Sequence, residues 1–270
     1  MPEILQYTFM QKAIIVGMLV GGLCPCIGTF LVLRRFSMVG ETLAHVSLAG
    51  VLLGILWGVS PLPFALVVSV LMVLVLEKLR NVFKNYAELS LAIIMSAGLG
   101  LAVVLMGFTN ASDTSISGLL FGSIITLSNQ DILLIGLLSF ISIFVIIFYY
   151  QEFFYLTFDE EGARLAGIAV HRFNYLLLFL TAMVIAIGLR IVGTLLISSL
   201  MVVPVAASLL LTRGFKQTLM YAILIGIFSV LIGLVISFYL GLAPGGAIVL
   251  SSVTIFLVLL LIIKYAIRSE

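Results

Sequence analysis

Charge is what this sequence has least of. Only 9% of its 270 residues are Asp, Glu, Lys or Arg, against 63% hydrophobic ones, whereas a soluble globular domain carries about 25% charged and about 45–50% apolar residues. That balance excludes a water-soluble fold. Charge is absent between Lys12 and Arg34, Glu41 and Glu77, Glu88 and Asp113, and Asp131 and Glu152. About 20 apolar residues cross a bilayer core, so these stretches read as membrane spans. No room remains for a sizeable soluble domain, and residues 1–270 read as one membrane-embedded domain.

Other absences narrow the function. Cysteine is confined to Cys24 and Cys26, on either side of Pro25 in the first apolar run. Residues two apart point to different sides of a helix, so the pair reads as apolar filling rather than a thiolate metal site. The net charge of +2 comes with scattered basic residues, which excludes a nucleic-acid partner. No Gly-x-x-x-x-Gly-Lys-[Ser/Thr] loop is present, so any ATP-driven work would need a separate motor subunit. Neither His-Glu-x-x-His nor Gly-x-Ser-x-Gly occurs, which leaves an intramembrane hydrolase nothing to work with. Glu3 and the length of the first apolar run do not fit a signal peptide, so that segment is expected to persist in the mature protein.

What is present is a series of apolar runs with recognisable breaks. Ser60-Pro61-Leu62-Pro63 splits the long run of 45–76, because proline removes a backbone donor and disfavours helix in the residue before it. A turn at 188–193 and a Gly/Pro break at 241–246 divide the later runs, and the count reaches nine. The segment 39–57 is marginal, so an eight-span variant stays open. The expected fold class is therefore an all-α integral membrane protein, a polytopic bundle of eight to nine transmembrane helices.

Basic residues favour the cytoplasmic ends of spans. With Arg34 and Arg35 inside, alternation also puts Lys78, Arg80, Lys84, Arg164, Arg172, Arg213, Lys216, Lys264 and Arg268 inside. Eleven of the thirteen then share one face, with only Lys12 and Arg190 outside. This places the N-terminus outside and the C-terminus in the cytoplasm. Residues 151–172 form the longest inward connection, with a short amphipathic helix expected near 157–168, and the apolar 116–127 suits a re-entrant or interfacial segment. Arg190 is expected to snorkel to the headgroups. Asp113 and Asp131 read equally as solvated loop residues or as an attraction for cations or a docking protein.

Glu41 and His45 carry the chemistry. An ionisable residue within apolar helix costs about 2.5–3.5 kcal/mol on insertion scales and persists with a partner or a watery cavity. Four residues apart, the two share a helix face, so a carboxylate oxygen and an imidazole nitrogen can converge on one cation. Ser37, Thr42 and Ser47 add hydroxyls nearby. That donor set suits Zn²⁺ or Mn²⁺ better than Ca²⁺ or Mg²⁺. The same spacing fits a plainer arrangement, with Glu41 in the headgroup layer beside Arg34 and Arg35 and His45 bonded to a carbonyl. Two ligands are half of a tetrahedral site, and a symmetric second copy could supply the rest. His171 has no acidic or cysteine residue at ligand spacing and is assigned no site.

The run Arg34-Arg35-Phe36-Ser37-Met38-Val39-Gly40-Glu41-Thr42-Leu43-Ala44-His45-Val46-Ser47-Leu48-Ala49-Gly50 resembles the signature of the permeases of ABC-type zinc and manganese importers. Leu120-Phe121-Gly122-Ser123 and Asn129-Gln130-Asp131 are similar to that family's middle segment. The stretch 158–168 resembles its cytoplasmic coupling segment, 192–207 its late helix motif, and Pro244-Gly245-Gly246-Ala247 its last outside loop. The resemblance implies a transport subunit rather than an enzyme, with no permanently bound cofactor. It implies a second copy of the chain, two ATP-binding subunits and an extracytoplasmic metal-binding protein as partners, in the cytoplasmic membrane. Glu41 and His45 fall where that family coordinates the passing ion, with Glu where many relatives have Asp. Asp159, Glu160, Glu161, Gly162, Ala163, Arg164 and Gly167 fall on the ATPase-coupling segment. Thr42-Leu43-Ala44-His45 is similar to the zinc branch, which makes Zn²⁺ the expected cargo and Mn²⁺ or iron the alternative. Competing readings are an ATP-independent carrier or channel, and a membrane scaffold or intramembrane enzyme.

Overall fold

The computed structural model describes residues 6–83, 86–109, 113–123 and 128–268. Glu3, Lys84, residues 110–112 and the 124–127 end of the short apolar segment lie outside the described residues. The regular structure among the described residues is α-helical: α1 (Thr8–Leu33), α2 (Met38–Leu56), α3 (Pro61–Val82), α4 (Ala87–Phe108), α5 (Asp113–Phe121), α6 (Asn129–Phe148), α7 (Tyr150–Phe158), α8 (Glu160–Leu165), α9 (Val170–Val192), α10 (Ile197–Leu211), α11 (Phe215–Leu240) and α12 (Pro244–Arg268). Eight of these are long and apolar enough to cross a membrane. With 15 residues, α10 rises only about 22 Å, short of a hydrocarbon core of about 30 Å. The molecule is thus an all-α polytopic membrane bundle of eight to nine crossings.

The breaks follow local chemistry. Pro61 opens α3 at the position where a missing N–H costs nothing. Ser128 and Asp131 form a reciprocal capping box that starts α6, with Asp131 N–H donating to Ser128 Oγ at 3.1 Å. Between α1 and α2, Arg35 takes a left-handed φ of 61° while Phe36 N–H donates back to Leu31 O at 2.8 Å, which reverses the chain within four residues.

Two expectations change in detail. The segment covering α2 looked marginal because its mean hydropathy, 1.7, is the lowest of the eight spans; yet 78% of its apolar stretch is buried, against 22% for α6. Protein rather than lipid surrounds α2, so it needs less hydropathy to sit in the membrane. The expected turn at 188–193 is instead helix through Val192, and the chain turns at Gly193, φ 86°. Gly188 is a packing glycine, since a Cβ there would run into the Ile197 side chain.

Small residues let the helices close up, the usual solution where lipid is as apolar as leucine. A Cβ on Gly226 of α11 would collide with the Gly21 carbonyl of α1, so those backbones meet directly. The residues just past α5 and just past α9 bond to the last turn of each other's helix. Ser123 N–H donates to Arg190 O at 3.1 Å, and Thr194 N–H donates to Leu119 O at 3.1 Å.

Side-chain contacts sort the helix ends into two groups. Arg34, Phe36, Glu77, Arg80, Glu160, His171 and Asn174 meet at one end. Lys12 with Asn129 and Asp131 with Arg190 meet at the other. This is the grouping that strict alternation requires.

A candidate metal site on the enclosed helix

The position of α2 is fixed on several sides before either candidate ligand is considered. Thr42 Oγ1 donates to Met38 O at 2.9 Å and lies 3.5 Å from Leu91 O of α4. Ser47 and Ser69 of α3 share a hydrogen bond of 2.9 Å. A Cβ on Gly98 of α4 would stand 3.1 Å from the Val46 nitrogen, so glycine there lets α4 lie against the backbone next to His45. Met201 of α10 reaches toward Gly40 from another direction.

Within this frame Glu41 lies in the first turn of α2, where the positive end of the helix dipole favours a carboxylate. It is half-buried, and it makes no hydrogen bond or ion pair among the described residues. One turn further in, His45 is 8% exposed and its Nδ1 is sealed from solvent without a hydrogen-bond partner. A buried unpaired ring nitrogen costs about 1–3 kcal/mol, so the imidazole stands ready for a partner that the chain does not itself provide. The alternative in which His45 is satisfied by a carbonyl is not what occurs. Thr42 donates within its own helix, to Met38 O, and Ser47 pairs with Ser69 of α3.

Other candidates do not join this pair. No cluster of three or more His, Cys, Asp or Glu able to hold a metal occurs among the described residues. Cys24 and Cys26 are buried free thiols in α1. His171 Nδ1 lies 3.6 Å from Glu77 Oε1, while Arg80 binds the other Glu77 oxygen at 3.1 Å. Arg190 does not reach outward to headgroups but turns to Asp131 at 3.5 Å, with both side chains less than one-fifth exposed.

The expected coupling segment forms α8. Asp159 caps it by accepting Gly162 N–H at 2.8 Å, Glu160 and Glu161 occupy its first turn, Arg164 its last, and Gly167 ends it at φ 85°. Charges so placed complement the helix dipole, which a helix of only six residues needs. Ala163 is buried against Leu156 and Val170, while Leu165 is 90% exposed.

Sequence reasoning missed how α8 connects to α2. Arg34, its side chain 5% exposed, donates to Glu160 Oε2 at 2.9 Å and to Asn174 Oδ1 of α9 at 2.8 Å. Its guanidinium also lies 5.1 Å from the centre of the Phe36 ring, and that of Arg80 lies 4.3 Å from it. Burial pushes the Arg34 pKa down and the Glu160 carboxylate pulls it back up; a guanidinium stays charged throughout. Phe36 precedes the start of α2 by two residues, so α8 is fastened to the turn that leads into Glu41 and His45. Arg34 and Glu160 are 126 residues apart, and each belongs to a short run of like charge, Arg34-Arg35 and Asp159-Glu160-Glu161, that gives no sign of the pairing.

Enclosed membrane helices, an unsatisfied imidazole beside a carboxylate and a capped surface helix define a multi-pass transport permease of the cytoplasmic membrane. The chain belongs to the ABC 3 transport family, whose model matches residues 6–263. It is 39% identical to a probable metal transport system membrane protein of Treponema pallidum over 95% of this chain and 96% of that one. It is 30% identical to the manganese transport system membrane protein MntC of Listeria monocytogenes, over 94% and 91% of the two chains. Membrane proteins of Haemophilus influenzae named for zinc and for iron are each 28% identical. Among solved structures, PsaBC from Streptococcus pneumoniae in complex with Fab superposes with a TM-score of 0.85 at 26% identity, covering 95% of this chain and 92% of that one. The matches are transport permeases, not catalysts, and the chain is the membrane subunit of a metal importer that works with an ATPase, a binding protein and the bilayer.

Proposed function

We propose that this permease carries divalent manganese, handed from Glu41 to His45 or held between them as the ion passes. The observation that carries the reading is the sealed, unpartnered Nδ1 of His45 one helical turn from an unpaired carboxylate. Carboxylate with imidazole suits manganese and zinc alike, so the donors alone leave the metal open. The relatives named for manganese favour it over the zinc suggested by Thr42-Leu43-Ala44-His45, which stands as the second reading. A site with two protein ligands holds its ion weakly, as conduction requires. A second copy of the chain facing the first would bring the protein ligands to four.

In this reading the Arg34 end of the bundle is cytoplasmic, as is the C-terminus, and residues 1–270 act as one transmembrane domain. Two ATP-binding subunits dock on 157–168, with Leu165 as the apolar contact, and the extracytoplasmic binding protein docks on the opposite end. Closure of the ATPase pair pushes α8, and Arg34 passes the displacement to the base of α2, which rocks between outward and inward access. The test is uptake into vesicles bearing the assembled complex, with manganese and zinc in competition. Glu41→Ala and His45→Ala are each expected to abolish uptake while complex assembly is unchanged. Normal uptake in either variant removes the site, and zinc outcompeting manganese replaces the cargo.

A further inference from the structure

An apolar cavity of about 390 Å³ opens between α1, α6 and α11, lined by Leu23, Cys26, Ile146, Ile147, Ile223 and Ile227 among others. Its α11 wall runs from Leu219 to Ile227, about 12 Å at 1.5 Å per residue, close to the roughly 15 Å depth of one leaflet's hydrocarbon. The cavity occupies the half of the bundle nearer the Arg34 end, since α11 begins there and α6 ends there. Tyr150 closes that end, and the same Tyr150 lines a second, wider depression of about 690 Å³ with Arg213, Lys216 and Gln217.

The two spaces together have the shape and polarity of a phospholipid. Lys216, Leu219, Ile223 and Ile227 fall on one face of α11, cation first and apolar residues after it. Phe215 stands between them in a collar of aromatic rings, its centroid 5.9 Å from Tyr150, 5.1 Å from Phe154 and 5.7 Å from Phe158. Of these rings, that of Tyr150 carries the polar tip that favours headgroup depth. Among the described residues no carboxylate lines either space. Arg213 and Lys216 are exposed and have no ion-pair partner among the described residues. The opening of α11 at Gly214 has no side-chain cap, and Gly214, Phe215 and Lys216 line the same depression.

We infer that this groove is a binding site for an anionic phospholipid of the cytoplasmic leaflet, with one acyl chain between α1, α6 and α11 and the phosphate headgroup at Arg213 and Lys216. Two basic residues at the surface of an anionic leaflet correspond to a preference of roughly thirtyfold for an anionic over a zwitterionic lipid. The choice of leaflet rests on the orientation proposed above.

The test is native mass spectrometry of the assembled, metal-free complex taken from vesicles of phosphatidylethanolamine mixed with phosphatidylglycerol. The permease is expected to retain phosphatidylglycerol with roughly thirtyfold preference. Arg213→Gln combined with Lys216→Gln, both exposed positions, removes the preference but not all retention. Ile223→Trp, which fills the apolar part, lowers retention of both lipids. Equal retention of the two lipids by the native complex overturns the inference, as does a preference that survives the double substitution. An assembled complex that keeps no lipid where the isolated full chain keeps one also overturns it, and assigns the surface to the ATPase or to a second copy. Because no metal is present, a failure here leaves the cargo assignment standing, and a failure of that assignment leaves lipid retention to be read.

Discussion

Glu41 and His45 differ in more than chemistry. The histidine is enclosed and short of a partner, whereas the carboxylate is half-buried at the positive end of its helix. In the proposed site His45 supplies the fixed donor and Glu41 the charge that draws the cation in. Glu41→Asp keeps that charge one methylene shorter, and uptake is expected to stay within about tenfold of the native rate, the equivalent of about 1.4 kcal/mol. Glu41→Gln keeps the shape without the charge and is expected to lose uptake, as measured with radioactive manganese in vesicles. Equal rates for the two variants would mean that the charge does not matter. The pair stands out in the sequence because ionisable residues are rare in apolar helix. The Thr42 hydroxyl bonds one turn back along its own helix, at Met38, whereas Ser69, the partner of Ser47, comes close only after folding.

The helices, as elements, divide into those that the sequence marks and those that packing decides. Proline and glycine at 60–63 and 241–246 break the chain by local chemistry, and the structure breaks there. Gly188 carries the same local signal and lies inside α9, because its missing side chain serves Ile197 instead. Neighbouring glycines make the distinction measurable. Gly226→Val forces a side chain against the Gly21 carbonyl and is expected to cost about 1–3 kcal/mol by overpacking. Gly22→Ala, whose Cβ would meet nothing nearer than 3.7 Å, is expected to be nearly neutral. Thermal unfolding of the purified complex compares the two, and an equal loss in both would deny the direct contact between α1 and α11.

Between elements, the Arg34 contact is the one that sequence could not supply. Arg34→Gln removes the ion pair to α8 but leaves Glu41 and His45 in place. ATP hydrolysis is expected to continue while ions carried per ATP fall severalfold, and Arg34→Glu combined with Glu160→Arg is expected to restore part of the ratio. An unchanged ratio in Arg34→Gln would mean that α8 reaches α2 by another route. Leu165→Ser addresses the outer side of the same helix. It is expected to weaken ATPase binding in pull-down, without change in helix content by circular dichroism, because the residue is 90% exposed and supports nothing within the chain.

At the scale of the whole molecule, a line of side-chain contacts at one end of the apolar bundle joins α8 to α2. It runs from Glu160 through Arg34 and Phe36 to the start of α2, and from there to the proposed metal ligands. The bundle supplies rigidity by backbone contact at glycines, and α2 is among the spans most enclosed by it. The central claim is that a nitrogen of His45 binds the ion in transit. X-ray absorption at the metal edge of the purified complex, loaded with manganese or with zinc, tests it most directly. The native protein is expected to show imidazole scattering around the metal, lost in His45→Ala; a native shell made of oxygen alone would contradict the account.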